Sequence, residues 1–323
     1  MVHDEQAGAI DGASNNAGKE DPVADSLMVF DTSYLYYRAF FGVPSSLRAP
    51  DGTPVNAIRG LLDAITRLVE QYSPRRIACA WDDDWRPTWR TDLVPSYKAH
   101  RVVEQVPGGV DAEETPDELG VQVPLIRAVL EAVGIPIVGI PEHEADDVLG
   151  SLAAQHSGLC WVVTGDRDLF QLVDETTRVI WVGQGVAKHQ VVNSAWLVDK
   201  YGVLPERYVD FSVLRGDPSD GLPGVKGVGE KSAARLTNQF GSLEEIVQAA
   251  LEGSGTLSPA IRRSIAESAD YILKAEVVVS VVLDLPITEP AELPVEPDGA
   301  RVAELSQRLG LEGPIRRLIG ACS

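Results

Sequence analysis

The sequence predicts an α/β protein: a mostly parallel, twisted sheet flanked by helices on both faces, followed by a smaller helical subdomain. Three observations predict it. Short apolar runs alternate with longer amphipathic stretches up to about residue 195, the β-α-β rhythm of a parallel sheet. The runs themselves are almost unbroken, as strands buried on both faces require. Beyond them the period turns helical and strand-like runs stop.

The elements follow in order. Residues 1–26 hold six acids, one lysine and no apolar period, and read as a disordered tail. LMVFD (27–31), RIACAWD (76–82), IPIVGI (135–140), LCWVVTGD (159–166) and VIWVG (179–183) are the expected strands. Residues 55–72, 119–133 and 143–156 place apolar side chains at helical spacing between them. Residues 85–118 separate the second strand from the next helix and include an acidic stretch read as a flexible spacer. Residues 196–283 form the helical subdomain, interrupted by the Gly-rich turn LPGVKGVGEKSAARL (222–236). A proline-rich linker (284–299) and a short helix (300–309) end the chain.

Composition excludes several classes. No stretch approaches the roughly 20 apolar residues that cross a bilayer, and the polar, acidic N-terminus is no secretory signal, so a cytoplasmic protein with no membrane partner is expected. Cys79, Cys160 and Cys322 lack paired spacing, which argues against disulfides and structural zinc. The formal charge of −20 by itself argues against nucleic acid. Yet the tail, residues 102–119 (six acids, no base) and residues 284–299 (five acids, no base) leave only −4 for the rest. The overall sign is a poor guide to the partner.

Where the acids fall is more informative. Asp31 ends the first strand, Asp82 the second with Asp83 and Asp84 beside it, and Asp166 another with Asp168 two residues on. Ligands of open α/β sheets collect outside the carboxyl ends of strands. EHEADDVLG opens a helix with Glu144, Asp146 and Asp147, and DPSDG brings Asp217 and Asp220 into a turn before the Gly-rich segment. Singly, each suits a cap or turn. Converging, they would repel one another unless hard divalent cations such as Mg²⁺ or Mn²⁺ lay between them, and two such ions form a clamp for phosphoryl chemistry.

Two segments supply cations. GVKGVGEKS offers glycines, including Gly227 and Gly229, with Lys226 and Lys231 at a helix start, which suits grip on a phosphate backbone. WRPTWRTDLVPSYKAHR (85–101) interleaves Arg86, Arg90, Lys98 and Arg101 with Trp85, Trp89 and Tyr97. If it is helical, Arg90, Tyr97 and Arg101 share one sector, a face suited to a single strand. Pro87 and Pro95 oppose a continuous helix.

Six ordered motifs, VFDTSYLYYRAF, AWD, WRTDLVPSYKAHR, EHEADDVLGSLA, VVTGDRDLFQL and LRGDPSDGLPGVKGVGEKSA, resemble the bacterial flap endonuclease and 5'-exonuclease family, which includes the N-terminal nuclease domain of DNA polymerase I. The resemblance spans residues 27 to about 240. It implies a PIN-like or resolvase-like nuclease core (27–195) with an arch at about 85–118, a helix-three-turn-helix DNA-binding subdomain holding a K⁺ ion, and a standalone monomer. It implies a structure-specific 5' nuclease, both flap endonuclease and 5'-3' exonuclease, acting in replication and repair on DNA with a free 5' end or flap. Asp31, Asp82, Glu144, Asp146, Asp147, Asp166, Asp168, Asp217 and Asp220 would bind two or more Mg²⁺ or Mn²⁺ ions. Arg38, Arg90 and Lys98 would contact phosphate, Tyr97 would stack on a base, and Arg101 would join Lys226 and Lys231 in holding DNA. Two departures stand out: the spacing from Asp82 to Arg90 is one residue longer than the family's usual spacing, so Asp83 competes with Asp82 as ligand, and Gly221 replaces the usual Asn. A non-catalytic DNA-binding scaffold and a metal-dependent small-molecule phosphatase are the rival classes.

Overall fold

The structure is a computed structural model and describes residues 25–106, 108–253, 257–288 and 290–323; the expected tail, up to residue 24, lies outside the described residues. β1 (Ser26–Asp31) leads into α1 (Thr32–Gly42) and α2 (Asn56–Tyr72), and β2 (Arg76–Ala80) returns to the sheet. Next come α3 (Thr88–Leu93), the short strands β3 (Val102–Glu104) and β4 (Ala112–Glu113), and α4 (Asp117–Gly120). α5 (Val123–Val133), β5 (Ile137–Val138), α6 (Ala145–Gln155), β6 (Leu159–Thr164), β7 (Thr177–Trp181) and β8 (Gln190–Val192) complete the α/β part. The helical part runs through α7 (Ser194–Tyr201), α8 (Tyr208–Arg215), α9 (Glu230–Gln239), α10 (Leu243–Glu252), α11 (Pro259–Glu267) and α12 (Ala269–Val279). β9 (Ala291–Glu292), α13 (Gly299–Leu309) and α14 (Glu312–Ala321) follow.

The main sheet has the order β5-β2-β1-β6-β7-β8. Its inner pairings are parallel, as expected, while β8 on β7 and β9 on β2 are antiparallel. β1 is buried throughout and alternates between two cores: Leu27 and Val29 face α6 and the helical part, Met28 and Phe30 face α2 and α5. Ile58, Leu61, Leu62, Ile65, Leu68 and Val69 recur at helical spacing on α2 and are all buried, which is why that helix lies against the second face. From β1 the chain crosses to β2 on one side and later to β6 on the other. The crevice beyond the carboxyl ends of β1 and β6 is therefore a topological switch point.

Three expectations are corrected. Residues 85–101 are not one helix: α3 stops at Leu93, Pro95 follows, and Lys98 takes a left-handed backbone (φ 48°) before a 3₁₀ turn at Ala99–Arg101. The acidic stretch is not a loose spacer, because Val102 and Glu104 pair with Glu113 and Ala112 as a small antiparallel hairpin. The end of the chain carries a second helix, α14, whose Ile315 and Leu318 enter the core beside α2. Cys79, Cys160 and Cys322 are free and buried, and no helix among the described residues is long and apolar enough to cross a membrane.

Candidate active site

Strand ends deliver the first carboxylates. Asp31 terminates β1 and caps α1, accepting from the Tyr34 amide (3.0 Å), while the Thr164 hydroxyl at the end of β6 donates to its other oxygen (2.7 Å). The same hydroxyl accepts from the Asp166 amide (2.9 Å), so Thr164 ties the two strand ends together. Asp166 in turn accepts from the Asp168 amide (2.8 Å). Asp82, just past β2, accepts from the Ala145 amide (2.8 Å) and thereby fixes the start of α6. Asp83 is exposed with its carboxylate over Gly139, so Asp82 is the residue turned toward the other acids.

Burial and mutual repulsion favour the protonated forms of this group. Burial pushes Asp31 up to about 7, opposed by Thr164 and reinforced by Asp82 and Asp166. Asp146 is raised well above the usual carboxylate range, by burial first and then by Asp166, Asp31 and Glu144. Asp166 is raised by burial and by Asp220, and Asp168 by burial, Asp166, Asp220 and Asp217. One Asp168 oxygen is buried without a hydrogen bond. Acids from β1, β2, α6, β6 and the turn before α9 thus feel one another's charge.

The two remaining acids of α6 are paired, which alters the expected roles. Glu144, the N-cap of α6, accepts from the Tyr97 hydroxyl (2.9 Å) and the Lys98 ammonium (2.5 Å) and lies 3.2 Å from Arg90. Burial raises its carboxyl despite both cations. Asp147 is fully buried and bidentate to the Arg90 guanidinium (2.7 and 2.9 Å), and it also accepts from the Val282 amide. Its oxygens are spoken for within the fold, so the structure uses it as a staple. Arg90, expected on phosphate, is buried and also donates to the Val278 carbonyl (3.1 Å). Tyr97, expected to stack on a base, is buried with its hydroxyl on Glu144. Both corrections follow from the break at Pro95, which turns this segment inward.

Lys98 remains at the site: burial disfavours its charge, but Glu144 more than reverses that and keeps the ammonium protonated. Arg101 pairs with Asp220 (2.7 Å) and donates to the Ser219 carbonyl (2.6 Å). Asp217 caps its own turn through Ser219 and lies 3.8 Å from Arg215, which is 3.9 Å from Asp168. Arg38 is set apart from the acids' hydrogen bonds, donating to the Gly183 carbonyl (3.0 Å) beside an open groove it lines with Tyr34 and Phe41. In the Gly-rich turn Val225 and Val228 are buried anchors, whereas Lys226, Gly227, Gly229 and Lys231 face outward; a Cβ at either glycine would meet nothing within 4 Å. Such open backbone before the N-terminus of α9 is a surface that a phosphate chain can approach. Thr164, Arg215 and Glu113 escaped the sequence reading. The first two sit inside quoted motifs, VVTGD and LRGD, while Glu113 lay in the stretch read as a spacer.

Hard oxygen donors carrying excess negative charge suit a divalent cation, and the orphaned Asp168 oxygen is a ready donor. Among the described residues no three acids, cysteines or histidines stand as a ready-made cage, so the donor set fits in chemistry and has to close around an ion.

This edge of carboxylates on a doubly covered sheet, beside an open glycine-rich turn, lies in a chain of the 5'-3' exonuclease class. Residues 26–202 match the family described as 5'-3' exonuclease, N-terminal resolvase-like domain, and residues 203–300 match 5'-3' exonuclease, C-terminal SAM fold. The chain is 50% identical over 296 residues to the 5'-3' exonuclease of Streptomyces coelicolor, covering 90% of this chain and 98% of that one. With the Mycobacterium tuberculosis 5'-3' exonuclease identity is 46% over 305 residues, covering 90% and 96%. Its fold resembles the bacteriophage T5 flap endonuclease, solved as a pseudo-enzyme-product complex with DNA and metal ions, with a TM-score of 0.61, 17% identity and coverage of 92% and 97%. The chain belongs to the 5'-3' exonuclease family.

Proposed function

We propose that the protein is a divalent-metal-dependent flap endonuclease and 5'-3' exonuclease that hydrolyses DNA phosphodiesters next to a free 5' end. One observation supports this reading: burial and one another's charge raise Asp31, Asp146, Asp166 and Asp168 together at the strand ends, with Asp82 adding its charge to Asp31. These five would hold Mg²⁺ or Mn²⁺, with Glu144, Asp217 and Asp220 at the margin and Asp147 holding Arg90. Bound divalent ions supply an activated water and offset charge on the phosphate. Lys98 sets a fixed positive charge beside Glu144, where a scissile phosphate gains negative charge. Lys226, Lys231 and the amides near Gly227 and Gly229 hold the duplex, and a K⁺ ion at that turn accords with the family. Selectivity comes from shape and free ends, since no element is built to read base edges. A monomer serving replication and repair in the cytoplasm completes the reading.

A labelled 5'-flap duplex tests it. Cleavage at the junction with Mg²⁺, abolished by EDTA, is the expected result. Binding without cleavage would make the protein a scaffold, and turnover of phosphomonoesters in place of the flap a phosphatase.

A further inference from the structure

The hairpin β3–β4 carries part of a stretch with six acids and no base, and its carboxylates lie on the arch's cations. Asp111 forms a 2.8 Å ion pair with Arg86 while its carbonyl accepts from Trp85 Nε1 (2.7 Å), and its other oxygen accepts from the Val106 amide (3.2 Å). The pair is mostly buried, at 9% and 19% side-chain exposure, so it is more than a surface contact. Glu113 lies 4.0 Å from Arg101, whose carbonyl accepts from the Glu114 amide (2.9 Å); Asp220 holds the same guanidinium from the opposite side. Glu113 also faces inward: its carboxyl, raised by burial and lowered by Arg101 and Lys98, senses Asp82 and Glu144. Apart from backbone pairing, Tyr37 Oη to Thr115 Oγ1 (3.0 Å) ties the strand exit to α1.

We propose that this hairpin is an internal phosphate mimic that sets substrate selectivity: Asp111 and Glu113 occupy in cis the guanidiniums of Arg86 and Arg101 that a DNA backbone would otherwise meet, and DNA enters by exchange with them. Weak or short single strands fail to displace the carboxylates, while a flap anchored on its duplex by the Gly-rich turn succeeds. Exchange also changes the ion balance. A phosphate that replaces a carboxylate leaves that carboxylate to recruit a cation from solution, which offsets the counterion that the DNA releases. The proposal rests on the nuclease reading above.

The test uses the full chain and a labelled 5'-flap duplex in EDTA, with binding followed from low to moderate salt for wild type, Glu113→Gln, Asp111→Asn and the double variant. Glu114→Gln is the control, since Glu114 is exposed on the same hairpin and has no ion pair among the described residues. Removing Asp111 is expected to tighten binding several-fold at low salt and steepen the salt slope by roughly 0.7–0.9 for the guanidinium released, and removing Glu113 to act in the same direction by less, because Asp220 still holds Arg101, with a larger gain for an unanchored single strand than for the flap. Glu114→Gln is expected to change neither by as much. Equal effects from Glu114→Gln would reduce the hairpin to general repulsion, and unchanged slopes in the double variant would overturn the mimicry. Wild type that does not bind the flap in EDTA and does not cut it once Mg²⁺ is added would instead strike at the nuclease reading. Glu113→Gln leaves the Asp111 hub intact, so it keeps the question open to decision if Asp111→Asn loosens the hairpin.

Discussion

Asp31 stays buried between β1 and β6 with its carboxyl pushed up to about 7, against 3.8 for a free side chain. Between those values the folded protein keeps a proton that the unfolded chain has released, so rising pH favours unfolding. Stability of the metal-free protein should therefore fall from about pH 4 to about pH 7, by on the order of a few kcal/mol at about 1.4 kcal/mol per unit. Asp31→Asn keeps one acceptor oxygen for the Tyr34 amide, puts an NH2 donor where the oxygen facing Thr164 was, and carries no charge. Urea unfolding in EDTA at pH 4.5 and 7.5 should show the variant losing less stability than wild type, with Mg²⁺ restoring wild type alone; equal losses would sink the idea. Gly221 has a φ of +70°, which Asn can adopt, but a Cβ there would sit 2.0 Å from the Ser96 carbonyl. Gly221→Asn should push the backbone at Ser96 away and break the Lys98 amide bond to the Asp220 carbonyl, costing about 1–3 kcal/mol in unfolding free energy and lowering cleavage; unchanged melting would show the turn gives way freely. The acids themselves were legible because they close strands, open a helix or, at Asp217 and Asp220, bracket a turn. Their pairing was not: Arg90 and Asp147 lie 57 residues apart and meet only because the chain turns at Pro95.

At the scale of elements, strands β1, β2, β5, β6 and β7 and the helices α2 and α6 were readable from period alone, since their apolar residues line one face or fill both sides of a strand; the short strands β3, β4, β8 and β9 were not. α1 was not, because TSYLYYRAFFG is aromatic-rich, weak in helix propensity and apolar around much of its girth. The basic segment misled for the opposite reason: a helical wheel drawn over residues 85–101 assumes a continuity that two prolines break. In the Gly-rich turn the sequence singled out glycines and lysines, and the buried valines Val225 and Val228 that anchor it went unread. Lys231 lies in the first turn of α9, exposed and without an ion pair among the described residues. Lys231→Ala should weaken duplex binding, flatten its salt slope by about 0.9 and leave melting unchanged. A slope equal to wild type would remove α9 from the DNA contact.

Over the whole molecule, the two faces of the sheet are closed by different parts of the chain. One face packs on α6 and the helical part that carries the Gly-rich turn, and the other on α2, α5 and the C-terminal pair α13 and α14. The C-terminal pair was only half legible. Residues 300–309 show a clear helical period, whereas Gly310, Gly313 and Pro314 look like breakers, although proline in the first turn of a helix loses little. Leu318 is fully buried between α14 and the α2 face, and its removal leaves a cavity far in topology from the strand-end acids. Leu318→Ala should cost about 2–5 kcal/mol. If the C-terminal pair only seals the core, flap cleavage per folded molecule at low temperature should match wild type while the melting temperature drops. A loss of cleavage before unfolding would instead show that α14 holds α2, and through α1 the Asp31 cap, in the position the site needs; measuring turnover and circular dichroism on the same samples across the melting range distinguishes the two.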